Sequence, residues 1–194
     1  MSSIRSEPRT QLSATDRALL LQLARNSIAY GLEHGRPLPV NDNDYSAHLR
    51  APRACFVTLH RHDQLRGCIG SLEVHRPLIE DVAYNAHAAA FHDPRFTPLT
   101  RSELHDLSIH ISILQPAEPL LFRTEQELLM QLRPGIDGLI LQEGTHRATF
   151  LPSVWESLTE RQEFLNQLKY KAGLGNNYWS DNIQAWRYTT ESFP

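Results

Sequence analysis

The chain has 194 residues, 41% of them hydrophobic and 21% charged, an ordinary globular composition that argues against disorder. Lys and Arg number 19 against 22 Asp and Glu, and the net charge of −3 gives no general pull toward nucleic acid or an anionic membrane. With only Cys55 and Cys68, and no apolar run long enough to span a bilayer, a secreted disulfide framework and a membrane span are both disfavoured, and a reducing cytoplasmic setting is the expectation.

Residues 1–12 are polar, lack the apolar core of a signal peptide, and read as a flexible tail; 13–194 read as a single domain. Ser13 and Asp16 form a capping-box pair for a first helix whose apolar positions run Leu20, Leu23, Ala24, Ile28, ending at Gly35 and Pro37. A loop over 36–53 follows, with a short helical turn near Tyr45 and Leu49. Cys55–Arg61 and Leu65–Ser71 are strand-like runs joined by His62-Asp63-Gln64. That hairpin sets Val57 against Ile69 and Arg61 against Leu65. It puts Val57, Leu59, Leu65 and Ile69 on a core face, with Thr58, His60, Arg66 and Cys68 on the other.

Pro77 opens a second helix rich in small residues, stopped by Asp93-Pro94-Arg95-Phe96. Ser108–Leu114 alternates isoleucines with polar residues as a strand. Thr124 and Glu127 cap a helix that ends by Pro134-Gly135, and Gly138–Glu143 with His146–Leu151 make a second hairpin. Thr159 and Gln162 cap a last helix ending at Gly173, and Ile183–Tyr188 is a closing strand. Helices interspersed with hairpins specify an α+β fold of antiparallel sheets with packed helices.

The most unusual segment is Leu65-Arg66-Gly67-Cys68-Ile69-Gly70. Glycines inside a strand weaken it, so Gly67 and Gly70 point either to close backbone approach by a ligand or to a bulge. Arg66, roughly 6–7 Å from Cys68 along one face, would favour the thiolate and make the cysteine reactive. The alternative is an inert cysteine buried in a sheet packed on both faces. His75 and His60 are the nearest candidate bases for Cys68. Asp93 and Arg95 could orient a polar ligand, or could serve only to build the loop at the helix end. No metal-ligating spacing, Walker loop, dinucleotide fingerprint or nucleophile elbow is present, so no cofactor is called for.

The strings F-V-T-L (56–59), L-R-G-C-I-G-S-L-E (65–73), R-P-L (76–78), D-P-R-F (93–96), D-G-L-I-L (137–141), T-F-L-P-S-V-W (149–155) and K-A-G-L (171–174) resemble, in order, those of the AMMECR family. The resemblance covers about residues 14–190. It implies a two-lobed AMMECR-type domain whose functional site is Leu65–Gly70. It also implies association with a Memo-like protein and a radical S-adenosylmethionine (SAM) enzyme, as in the AmmeMemoRadiSam system. Two cysteines cannot supply the four thiolates of a self-contained iron–sulfur cluster.

Two functions follow as expectations. In the first, the chain is a binding or adaptor module whose ligand, a small molecule, contacts Gly67, Ile69, Gly70, Asp93 and Arg95. In the second, it is an enzyme or covalent carrier in which Cys68 is the activated thiol, Arg66 its activator and His75 its base. The first ranks higher because no base, metal set or cofactor motif accompanies the cysteine. Neither nucleic acid nor membrane is an expected partner.

Overall fold

The computed structural model describes residues 11–194; the expected tail over 1–10 lies outside the described residues. Leu12, assigned above to that tail, is buried and donates its N–H to Glu191 Oε1 at 2.9 Å.

The chain divides into two compact units, one running to Ile113 and taking in Glu191–Pro194, the other Leu114–Thr190. In the first, α1 (Ala14–His34) begins at the Ser13–Asp16 capping box and ends at Gly35 in the left-handed region. A short α2 (Ala47–Arg50) buries Leu49. Strands β1 (Cys55–Arg61) and β2 (Gln64–Gly70) form the first hairpin, followed by α3 (Leu78–Phe91) and β3 (Leu107–Leu114). Pro77 is the N-cap of α3.

The second unit holds β4 (Glu118–Pro119), α4 (Glu125–Gln131), β5 (Gly138–Glu143), β6 (His146–Phe150), α5 (Arg161–Lys171) and β7 (Gln184–Tyr188). The final strand, β8 (Thr190–Phe193), returns to the first sheet. The sheet orders are β2-β1-β3-β8 and β4-β7-β5-β6. Each unit has its own core. Leu20, Ile28, Val57, Leu59, Ile79, Val82, Ile111 and Ile113 belong to the first, and Leu128, Leu139, Leu141, Trp155, Phe164 and Leu168 to the second.

The first hairpin departs from expectation in a way that matters. Its turn has two residues, His62 and Asp63, both at positive φ (51° and 60°), the backbone that a right-twisted hairpin requires. Gln64 therefore faces Arg61 and Leu65 faces His60, while Gly67 keeps its place opposite Leu59. Arg66 is the extra residue of the resulting β-bulge. The bulge reverses the alternation beyond it, so Leu65, placed above on the core face, is 40% exposed.

Two smaller differences concern ends and short strands. Glu160, not Thr159, precedes α5 and makes no side-chain cap, while the Gln162 amide donates to Glu125 and Asn166. Strands β4 and β8 carry too few residues for periodicity to reveal them.

Candidate functional site

Cys68 lies on β2 opposite Thr58, which in turn lies opposite His110 of β3. This row occupies the face of the sheet turned away from the first core, and all three residues are half-buried. Cys68 Sγ is 3.2 Å from Thr58 Oγ1. His60, two residues along β1, meets His110 edge-to-face with ring centroids 5.2 Å apart. Burial first, and the neighbouring His60 second, hold the His110 imidazole below the ordinary histidine range. His110 was visible in the sequence only as one polar position of an alternating strand; its place beside Thr58 depends on long-range pairing that no local pattern carries.

The backbone of Cys68 is gripped from the open edge of β2. Its N–H donates to Asp93 Oδ2 at 2.9 Å, and its carbonyl accepts from Arg95 Nη2 at 3.4 Å. Asp93 and Arg95 are joined to each other through Nε–Oδ1 and Nη2–Oδ2 contacts of 2.9 and 2.7 Å. Asp93 is only 4% exposed. The Arg95 hydrogen bonds, helped by the Cys68 N–H, hold its carboxyl far below the usual range against the opposing cost of burial. The Asp93–Arg95 pair thus closes an edge position that would otherwise present unpaired main-chain groups.

The Arg66 guanidinium is engaged by a carboxylate partner. It meets Glu103 at 2.8 Å (Nε–Oε1) and 3.2 Å (Nη2–Oε2), and it also donates to the Thr97 carbonyl. Glu103 is held down to about 2, chiefly by that Arg66 hydrogen bond. The bulge turned Arg66 out of simple alternation, and Glu103 neutralises the charge expected beside the thiol. The cation in contact with Cys68 is Arg95, through the cysteine carbonyl, and its guanidinium is stabilised first by the Asp93 hydrogen bond. Arg66 and Arg95 both approach the Phe96 ring, at 5.8 and 5.4 Å from its centroid.

The two glycines have packing explanations. A Cβ on Gly67 would strike the Ala89 carbonyl of α3, and one on Gly70 would strike the Cys55 carbonyl and the Phe56 ring. Protein atoms therefore fill the space they leave. Ile69 packs, half-buried, against the first core. His75 is exposed on the segment before α3.

Cys55 contrasts with Cys68. It is fully buried, with Sγ 3.2 Å from Asp81 Oδ2; burial, then the Asp81 charge, push its thiol well above the ordinary range. Among the described residues no group of three or more His, Cys, Asp or Glu is placed to hold a metal ion, and no helix is long and apolar enough to cross a membrane.

Comparison with known proteins places this geometry in a family. A protein of Thermofilum pendens is 35% identical over 94% of this chain and 91% of its own length. One of Methanothermobacter thermautotrophicus is 34% identical over 94% and 95%. The crystal structure of an uncharacterised protein, PH0010 of Pyrococcus horikoshii, is similar with a TM-score of 0.83 and 31% identity, covering 90% of this chain and 88% of that one. The AMMECR1 family model matches residues 21–193, and the chain belongs to that family.

Proposed function

We propose that this chain is a binding or adaptor module whose contact surface is the sheet face around Cys68. The observation that supports this reading is the capture of the Cys68 main chain by Asp93 and Arg95. Together with the neutralised Arg66, it commits the local charge to rigidity. A preformed surface loses less entropy on association. The partners are those the resemblance implies, a Memo-like protein and a radical SAM enzyme, met in the cytoplasm. The test is titration calorimetry with each purified partner from the same genome. Thr58→Lys and His110→Glu are expected to weaken association by about tenfold or more, while Cys68→Ala preserves it. Failure of the unaltered chain to bind either partner overturns the reading.

A second reading, Cys68 as a covalent carrier, draws on one contrast: Cys68 Sγ is half-buried beside a hydroxyl, whereas Cys55 is sealed. It requires Cys68 to react with iodoacetamide at neutral pH faster than a free peptide cysteine, with Cys55 spared. Equal or slower reaction removes it.

A further inference from the structure

A second site lies elsewhere in the first unit. An open groove of about 330 Å³ runs between the segment after α1 and the first two turns of α3. One wall is Arg36, Pro37, Leu38, Pro39 and Val40; the other is Arg76, Glu80, Ala83 and Tyr84. The volume matches the lower end of small-molecule sites. The groove is built rather than incidental. Ser27 of α1, fully buried, donates its hydroxyl to the Ala83 carbonyl at 2.7 Å and accepts the Leu38 N–H at 3.1 Å. One hydroxyl therefore ties both walls to the same helix.

Both cations of the groove lie near aromatic rings, Arg76 stacked on Tyr84 and Arg36 held at the Tyr30 hydroxyl. Arg76 Cζ lies 4.2 Å from the Tyr84 ring centroid, and Arg36 Cζ 5.6 Å from that of Tyr30. Stacking restrains a guanidinium while leaving its in-plane N–H groups directed outward, the arrangement suited to forked recognition of an oxyanion. Arg36 uses one such group on the Tyr30 hydroxyl, and Arg76 approaches buried Asp81 through Nε at 3.5 Å. Glu80 is the one carboxylate on the lining, and Pro37, Leu38, Val40 and Ala83 add apolar wall.

We infer that this groove binds a small organic oxyanion, a phosphate or carboxylate carried on a compact apolar body, with Arg36 and Arg76 gripping the anionic group. The inference is independent of the sheet face around Cys68. It is tested by ¹H–¹⁵N NMR titration of the intact chain with phenyl phosphate, benzoate and inorganic phosphate. Phenyl phosphate and benzoate separate the two anion types, and inorganic phosphate isolates the contribution of the apolar wall. The expected result is saturable shifts for one aromatic anion or both, centred on residues 36–40 and 76–84, with inorganic phosphate weaker. Arg36→Met, whose side chain is exposed, and Arg76→Met are each expected to reduce affinity by about tenfold. Arg101→Gln, which removes one positive charge elsewhere, should leave affinity unchanged. Shifts that never saturate, shifts centred elsewhere, or equal loss in Arg101→Gln overturn the inference. So does affinity that survives in Arg36→Met, the variant that guards against misfolding of Arg76→Met.

Discussion

Asp93 shows how one carboxylate can hold a strand's backbone. Removing it leaves the Cys68 N–H and the Arg95 guanidinium without their common partner, so Asp93→Ala is expected to cost about 2–3 kcal/mol in urea denaturation. The pH dependence has a definite sign. Asp93 and Glu103 both titrate lower in the folded chain than the ordinary carboxylate range near pH 4. Their contributions are intact above that range and are lost as pH falls through the folded values, about 2 for Glu103. Urea midpoints measured from about pH 6 down to about pH 2 should therefore decline, and less steeply in Asp93→Asn. Gly67 supplies a steric counterpart. Its missing Cβ lets β2 approach the Ala89 carbonyl, and Gly67→Ala should destabilise by about 3 kcal/mol, because the obstacle is backbone and cannot swing aside. Wild-type stability in that variant would contradict the close approach.

At the scale of elements, the capping box of α1 and the alternation of β3 were legible because each rests on neighbours in sequence. The two-residue turn is not evident in the sequence because His62-Asp63 lacks the Asn-Gly or Asp-Gly signature of such a hairpin. Strict alternation through Leu65–Gly70 puts Leu65 on the core face and Arg66 beside the thiol, and the bulge at Arg66 breaks that alternation. The candidate site was legible as a string and as a pair of loop charges. What those charges hold depends on contacts 25 and 27 residues apart, which spacing alone does not reveal. Two non-glycine residues at positive φ also make the turn improvable. The double variant His62→Asn, Asp63→Gly should gain about 1 kcal/mol by chemical denaturation, with the Val57–Ile69 register kept. A loss of stability would mean that His62 or Asp63 makes a compensating contact, for instance through the 3.9 Å approach of His62 to Asp106.

For the whole molecule, the division into two cores has an experimental consequence. Trp155, Trp179 and Trp186, the chain's three tryptophans, fall in the Leu114–Thr190 unit, while Cys55 and Cys68 fall in the other. Indole emission and thiol trapping are thus natural reporters on different halves of the chain. Trp155 stacks on Phe164 with centroids 3.7 Å apart, and the large-to-small change Phe164→Ala should lower the emission midpoint in guanidinium by about 3–5 kcal/mol equivalent. If the halves melt independently, release of the sealed Cys55 to a disulfide-exchange reagent keeps its wild-type midpoint in that variant. If they melt as one, both signals shift together, so the two reporters decide whether the chain unfolds in one step or two.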